Sequence, residues 1–237
     1  SKSGARILEK GGNAIDAAIA VGSSLSVVEP YMSGVGGVGV CLVYLAAEKR
    51  TRALNFSGRC PSDIDVNGIT QNELNEGPLS SLIPGVVSGW SELHQKYGSL
   101  QWESLFESSI DYSINGYQLT PLGNHVISES LTKLESSREA SELILNRLGE
   151  IPQSGTTIKM PFLGNTLKEI SKDRSAFYRG ELAETIVDGN NAYGGAFSIE
   201  DLHSYQPEWQ TPVGINFKGY DVLTTPPNSS GFQILQT

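Results

Sequence analysis

The sequence predicts an α/β fold with a central sheet, outer helices and a helical middle segment. Apolar residues recur at helical spacing before residue 30 and through the middle of the chain. Residues 38–47 instead form a short, continuous apolar run, which is typical of a buried strand. A second group of short strands is expected from residue 212 onward. A sheet covered by helices is the simplest packing of these elements.

The first two helices are predicted from their end signals. Residues 5–10 have a helical composition and are followed by Gly11 and Gly12, which are typical of a C-cap. Asn13 is a favoured N-cap residue and predicts that a second helix starts there. The chain therefore begins with two short helices in succession.

The second helix is expected to bury a single apolar stripe. Ile15, Ala18, Ile19 and Gly22 fall at positions i, i+3, i+4 and i+7. Because this stripe is rich in Ala and Gly, the helix can approach a neighbour closely. We expect Pro30 to end it.

A β-hairpin is expected next. Residues of both parities are apolar within 38–47, which predicts a strand covered on both faces. Charged residues 48–50 then form a turn, and residues 52–56 form the returning strand.

The rest of the chain is predicted to be helical up to a second strand pair. The segments expected to form helices are 86–97, 100–115, 119–135, 140–148, 161–171 and 181–188. Strands at 212–217 and 220–225 are joined by a turn at Lys218 and Gly219, and residues 226–231 form a loop. No internal repeat or low-complexity linker divides the sequence, so we assign residues 1–237 to one domain.

Composition excludes several classes of function. A net charge of −9 without a basic cluster argues against a nucleic-acid partner. No stretch approaches the ~20 apolar residues of a membrane helix. Cys41 and Cys60 are too few for a disulfide framework, and Cys41 is expected to be a buried small hydrophobe. His94, His125 and His203 are widely separated, so we expect neither a metal site nor a cofactor.

One glycine motif has the wrong context for its usual function. Gly34, Gly36 and Gly39 match G-x-G-x-x-G, but a dinucleotide site needs a strand before the motif and a helix after it. Here a helix precedes and a strand follows. We therefore interpret the motif as a tight loop in which a Cβ would clash.

Many blocks of the sequence resemble those of γ-glutamyltransferases. Residues 11–18, GGNAIDAA, are similar to the GGNAxDAA signature near the start of that family. Further similar blocks follow in the family's order over nearly the whole chain, at 27–30, 33–37, 84–90, 97–100, 177–180, 194–202, 205–209 and 226–231.

The resemblance implies an N-terminal-nucleophile hydrolase with stacked helix, sheet, sheet and helix layers. Members of that family are made as one precursor that cuts itself into a large and a small subunit. The cut exposes a threonine at the start of the small subunit, and its free α-amino group can act as base for its own hydroxyl. Backbone donors of the small subunit would hold the oxyanion.

In this alignment residues 1–237 correspond to part of the large subunit. Thr237 follows the 226–231 loop almost immediately, so it aligns with an internal position and not with the nucleophile. We therefore expect no catalytic residue in this chain, no activity from it alone, and the small subunit of the same precursor as its partner. The resemblance implies a periplasmic or extracellular location, and the sequence leaves a cytoplasmic one open.

Two residues are candidates for binding the substrate. In γ-glutamyltransferases an arginine after the second strand of the hairpin binds the α-carboxylate of the γ-glutamyl group. Arginine suits this role because its planar guanidinium pairs with a carboxylate through two hydrogen bonds. Ser57 stands at that arginine's position and Arg59 lies two residues later. Two steps along an extended chain restore the same side, so Arg59 can reach the pocket; it can equally point into a turn.

Three hypotheses about function follow. The first is an amidohydrolase or transferase acting on γ-glutamyl compounds such as glutathione. The second, favoured by Ser57, is a related acylase for another amide. The third is a non-catalytic subunit or fragment, favoured by the missing nucleophile.

Overall fold

The computed structural model describes residues 1–135, 137–145 and 149–237. The chain forms two compact units, one of residues 1–35 and 96–173 and the other of residues 36–95 and 174–237. Both units contain helices and strands, which confirms the predicted α/β class. The assignment of residues 1–237 to one domain stays a prediction.

The helices and strands are named in chain order. They are α1 (Lys2–Glu9), α2 (Ala14–Val28), β1 (Gly39–Leu45), β2 (Arg50–Phe56), α3 (Gln71–Asn75), α4 (Val86–Tyr97), α5 (Glu107–Asn115), β3 (Tyr117–Gln118), α6 (Pro121–Glu129), α7 (Leu131–Glu135), α8 (Arg138–Ile144), β4 (Thr157–Ile158), α9 (Pro161–Lys172), α10 (Glu181–Ala192), α11 (Ile199–Ser204), β5 (Glu208–Gln210), β6 (Val213–Phe217), β7 (Tyr220–Thr224) and α12 (Gly231–Gln236). Short 3₁₀ helices span Pro78–Ser80 and Trp102–Phe106.

Most predicted helices are present, although several have different limits. The helix expected over 100–115 begins as a 3₁₀ segment and continues as α5. The helix expected over 119–135 is divided at Ser130 into α6 and α7, and α6 starts with Pro121 behind the N-cap Thr120. The helix expected over 140–148 overlaps α8, and its residues 146–148 lie outside the described residues.

The junction of α1 and α2 forms as the sequence predicts. Gly11 has φ +86°, and the amides of Gly11 and Gly12 donate to the Leu8 and Ile7 carbonyls at 3.0 Å each, which satisfies the last carbonyls of α1. Asn13 Oδ1 then accepts hydrogen bonds from the amides of the first turn of α2.

Asp16 is fully buried at the start of α2 and joins two distant segments. Its carboxylate accepts from the Asn13 amide at 3.0 Å and thereby completes a capping box. It also accepts from Ser99 Oγ at 2.6 Å and from the amides of Ser99 and Leu100. Burial alone would raise the pKa of Asp16, but these hydrogen bonds from Ser99, Asn13 and Leu100 outweigh it and lower the pKa.

The predicted apolar stripe of α2 is wrong in part. Ala18 is exposed, and the buried face includes Asp16, Ile19, Ser23 and Val27. The polar members of this face are satisfied internally: Ser23 Oγ, for example, donates to the Ala20 carbonyl at 3.2 Å. Polar side chains with local partners can therefore occupy the inward face of the helix.

The second unit contains an antiparallel sheet in the order β1–β2–β5. Helix α4, nearly all of which belongs to this unit, packs on one sheet face. Gly89 of α4 lies against the Phe56 ring, where a Cβ would overlap ring atoms. Trp209 on β5 donates from Nε1 to the Glu92 carboxylate of α4 at 2.6 Å.

The expectation that β1 is covered on both faces is wrong for the described chain. Val40, Leu42 and Tyr44 all point to one face, and their exposed fractions are 39%, 41% and 65%. Val43, on the opposite face, is buried. The described residues of this unit thus cover one face of β1 and leave an apolar face open.

The glycine-rich loop before β1 is less constrained than expected. The order of helix, loop and strand is as predicted, but a Cβ at Gly34 or Gly36 would meet no atom within 4 Å, and neither residue has a positive φ. Only Gly39 of the three is in close contact, with the Phe56 ring. The interpretation that a Cβ would clash is therefore wrong for Gly34 and Gly36.

The second strand pair is confirmed as the hairpin β6–β7. Val213 pairs with Thr224 and Phe217 with Tyr220. The predicted turn residues both have a positive φ, 51° at Lys218 and 86° at Gly219, as a two-residue hairpin turn of the I′ class requires.

Three further observations concern membrane helices, metal sites and the two cysteines. Within the described ranges, no helix has both the length and the apolar character needed to cross a bilayer. Among the same residues, no three His, Cys, Asp or Glu side chains are grouped so as to hold a metal ion. Cys41 is half-buried, which raises the pKa of its thiol, and Cys60 is exposed.

Candidate substrate-binding site

The two candidate residues follow the last residue of β2, at the edge of a polar cavity in the second unit. The cavity has a volume of about 330 Å³. The polar residues that line it include Asn55, Ser57, Arg59, Glu208, Gln210 and Asn228. Strand β5 supplies two of them, and the loop between β7 and α12 supplies Asn228.

Ser57 is held by a chain of amide hydrogen bonds. The Ser57 amide donates to Asn55 Oδ1 at 3.0 Å, so the Nδ2 of Asn55 faces away and donates to Asn228 Oδ1 at 2.9 Å. Asn228 Nδ2 in turn donates to Ser57 Oγ at 2.8 Å, and Ser57 Oγ also lies 3.2 Å from Asn228 Oδ1. The hydrogen-bond partners of Ser57, at the position where the resemblance places an arginine, are therefore neutral.

Arg59 is fixed through the backbone on either side of it. Gly58 has φ +80°, and a Cβ there would lie 2.7 Å from the Ile83 carbonyl oxygen, so only glycine fits this turn. The Ile83 amide donates to the Arg59 carbonyl at 2.8 Å. The Gly58 amide donates to Tyr205 Oη at 3.3 Å.

The Arg59 guanidinium is exposed and lies over the ring of Tyr205, 5.9 Å from the ring centroid. This distance is within the range of a cation–π contact. Burial raises the pKa of Tyr205, and the Gly58 hydrogen bond and the charge of Arg59 lower it by less. The phenol therefore stays protonated, and its oxygen is an acceptor for the Gly58 amide.

The structure brings Ser57 and Arg59 to the same cavity, but not through the extended backbone that the sequence predicted. Strand β2 ends at Phe56, so the two residues are not related by strand alternation. Instead the left-handed conformation of Gly58 turns the chain between them. Whether either residue binds substrate stays a prediction.

Sequence reasoning gave no role to the other residues of this site, among them Tyr205 and Asn228. Tyr205 and Asn228 lie in blocks that resemble the family, but no role was assigned to either. Asn228 is 171 residues from Ser57 and Tyr205 is 147 residues from Gly58. A pattern of local spacing carries no signal for contacts of that range.

Comparison with solved structures identifies the class of protein first. The chain superposes on a gamma-glutamyltranspeptidase from Helicobacter pylori with a TM-score of 0.94 and 30% identity, covering 98% of this chain and 68% of that one. It superposes on a cephalosporin acylase from Bacillus halodurans with a TM-score of 0.88 and 32% identity, covering 96% and 44% respectively. The fold is therefore that of the N-terminal-nucleophile hydrolases.

Sequence comparison then identifies the family. The family model described as gamma-glutamyltranspeptidase matches residues 1–237. The chain is also 35% identical to a glutathione hydrolase-like proenzyme, YwrD, of Bacillus subtilis, over 241 residues and 100% of this chain. The chain belongs to the gamma-glutamyltranspeptidase family. It spans 46% of the length of the B. subtilis relative.

Proposed function

We propose that this chain is part of the large subunit of an enzyme that cleaves γ-glutamyl amides such as glutathione. The observation that carries the proposal is the match of the gamma-glutamyltranspeptidase family model to the whole chain. The polar cavity bounded by Arg59 supports it, because a γ-glutamyl group presents an α-carboxylate that needs a cationic partner.

In the proposed complex Arg59 binds the α-carboxylate of the substrate. Its guanidinium lies at the cavity, and its backbone is fixed by hydrogen bonds of Gly58 and Ile83. A planar, exposed guanidinium with a fixed backbone suits a bidentate contact. In that complex the Ser57 hydroxyl turns from Asn228 Oδ1 and donates its proton to the same carboxylate.

The open face of β1 supports the proposed partner. Val40, Leu42 and Tyr44 form an apolar strip that a second sheet would cover, and stacked sheets bury such alternating residues. We assign this strip to contact with the small subunit of the same precursor. The B. subtilis relative is itself called a proenzyme.

The proposed chemistry places the nucleophile in that small subunit. A threonine hydroxyl gives its proton to the free α-amino group and attacks the amide carbonyl; the C–N bond breaks, and the amine leaves with that proton. Water or an amino acid then takes the acyl group from the acyl-enzyme and returns a proton to the threonine oxygen. The nitrogen of Thr237 is in a peptide bond with Gln236 and cannot serve as the amine base. Residues 1–237 alone are therefore expected to have no turnover.

The proposal is tested with the full-length gene product and a γ-glutamyl anilide. We expect self-cleavage and anilide hydrolysis from the full-length protein and neither from residues 1–237. Arg59→Ala should raise KM about 10- to 100-fold, because hydrogen bonds to a charged group contribute about 1.5–3 kcal/mol. Arg138→Ala removes an equal charge from an exposed i,i+4 ion pair and should leave KM unchanged. An unchanged KM in Arg59→Ala would remove Arg59 from the site.

A second candidate function is an amide acylase with another acyl specificity. It is favoured by the neutral cluster of Ser57, Asn55 and Asn228 at the position of the family's arginine. The similarity to the cephalosporin acylase supports it as well. Faster turnover of amides whose acyl group lacks an α-carboxylate would favour this function over the first.

A further inference from the structure

Tyr205 is itself rigidly held in the second unit. It is 5% exposed, and its ring stacks on Tyr178 at 5.9 Å between centroids with an interplanar angle of 10°. Tyr178 Oη donates to the Pro84 carbonyl at 2.9 Å and accepts from the Ser88 amide at 3.1 Å. The Tyr205 ring is thus packed against a residue that is anchored to the start of α4.

The chain after the candidate site is tied to the helix that precedes Tyr205. Helix α11, which precedes Tyr205, starts with a capping box between Ser198 and Asp201. Asp201 Oδ1 also accepts from the Ser62 amide at 3.1 Å, three residues after Arg59. The segment that follows Arg59 is thereby attached to α11.

Tyr205 contacts Arg59 and its neighbour with two different groups. Its hydroxyl oxygen accepts from the Gly58 amide, and its ring faces the Arg59 guanidinium. The hydroxyl is accommodated because Gly85 has no side chain: a Cβ there would overlap Tyr205 Oη. The phenol therefore contacts both the backbone turn before Arg59 and the guanidinium itself.

We infer that Tyr205 is a positioning residue that aligns Arg59 for carboxylate recognition and so sets the discrimination between charged and uncharged acyl donors. The inference rests on the proposed function, because it requires that Arg59 binds the substrate carboxylate. Tyr205 lines the same cavity as Arg59, and its proposed role is to align the arginine rather than to bind the carboxylate itself. Removing the ring should affect donors that carry the carboxylate and leave other donors unchanged.

The test measures discrimination rather than activity. The full-length, self-cleaved enzyme is assayed with a γ-glutamyl anilide and with its α-carboxamide analogue, and the ratio of the two kcat/KM values is compared between variants. Arg59→Ala should lower this ratio at least tenfold. Tyr205→Leu removes ring and hydroxyl and should lower it about fivefold, and Tyr205→Phe, which keeps the ring, about twofold.

A double-mutant cycle separates positioning from a general structural role. If Tyr205 acts through Arg59, the ratio of the double variant Arg59→Ala/Tyr205→Leu should equal that of Arg59→Ala alone. Tyr193→Phe, at an exposed tyrosine, is the matched control and should leave the ratio unchanged. Thermal unfolding of each variant identifies losses that come from poor folding, and Tyr205→Phe remains usable if Tyr205→Leu does not fold.

The outcomes distinguish the two proposals. A normal ratio in Arg59→Ala would overturn carboxylate binding by Arg59 and this inference with it. A low ratio in Arg59→Ala with a normal ratio in both Tyr205 variants would overturn only the positioning role. Additive losses in the double variant, or equal losses for both donors in the Tyr205 variants, would also refute it.

Discussion

The buried carboxylate of Asp16 gives the sharpest stability prediction. Its Oδ2 atom accepts from three amides and from Ser99 Oγ, so Asp16→Ala leaves several buried donors without an acceptor. Each such donor costs about 1–3 kcal/mol, and the costs are not additive. We therefore expect Asp16→Ala to lower the free energy of unfolding by about 3–5 kcal/mol.

Asp16→Asn removes the charge and keeps the shape. Its carboxamide oxygen can replace Oδ2, but its NH₂ group then faces the Ser99 amide, which donates to Oδ1 at 3.1 Å. Neutral hydrogen bonds are weaker than charged ones, so we expect a loss of about 2 kcal/mol. Asp111→Asn, at an exposed carboxylate of α5, should change stability by less than about 0.5 kcal/mol.

The effect of Asp16 should depend on pH with a defined sign. Because the hydrogen bonds lower the folded-state pKa, the carboxylate contributes its stability above its unfolded pKa of about 3.9. That contribution is lost as the pH falls through the lower, folded-state pKa. The difference in free energy of unfolding between wild type and Asp16→Asn should be constant above about pH 5 and decrease in stronger acid.

Urea denaturation of the full-length protein, repeated from pH 7 downward, measures both effects through the midpoint and slope of each transition. A loss below about 1 kcal/mol for Asp16→Ala would show that the carboxylate is not the acceptor that joins residues 13, 99 and 100. If the difference in free energy of unfolding between wild type and Asp16→Asn stays constant as the pH falls well below about 5, the lowered pKa of Asp16 is contradicted.

Two further changes test the loop before Arg59 and the open sheet face. Gly58→Ala should destabilise the protein by about 2–4 kcal/mol and lower activity, because alanine disfavours φ +80° and its Cβ would meet the Ile83 carbonyl. The control Gly36→Ala should not change stability, because a Cβ there meets no atom within 4 Å. Equal unfolding midpoints for the two variants would contradict this prediction. Leu42→Lys should prevent self-cleavage or subunit association of the full-length precursor, because it places a charge on the open face of β1. The control Leu122→Lys, at a more exposed leucine of α6, should do neither. If the Leu42→Lys precursor is cleaved and its subunits co-purify normally, this face of β1 is not the contact with the small subunit.

Local signals in the sequence located most of the secondary structure. Gly11 and Asn13 set the junction of α1 and α2, and Lys218 with Gly219 set the β6–β7 turn, because each of these residues suits one backbone conformation. The α/β class followed from the spacing of apolar residues, and the family from short blocks of residues in order. Such signals depend on neighbours a few residues away, and a single sequence carries them in full.

The errors arose where distant residues decide the outcome. The inward face of α2 includes Asp16, whose partners Ser99 and Leu100 lie more than 80 residues away. The open face of β1 is apolar in sequence, but its burial depends on what packs against Val40 and Leu42. Ser57 is likewise fixed by Asn228, which only the folded chain brings near it.

The blocks that carry the family resemblance contact one another in pairs. Residues 11–18 meet residues 97–100 through Asp16, and residues 84–90 meet residues 177–180 through Tyr178. These residues mainly hold helices and loops together, so their presence indicates the fold but says little about the substrate. The 226–231 block meets β2 and its following loop, where Ser57 departs from the family pattern. Since the structure around it is that of the family, that departure changes the groups that line the candidate site and not the fold, and the proposed substrate choice is tested by substitutions at residues 57, 59 and 205.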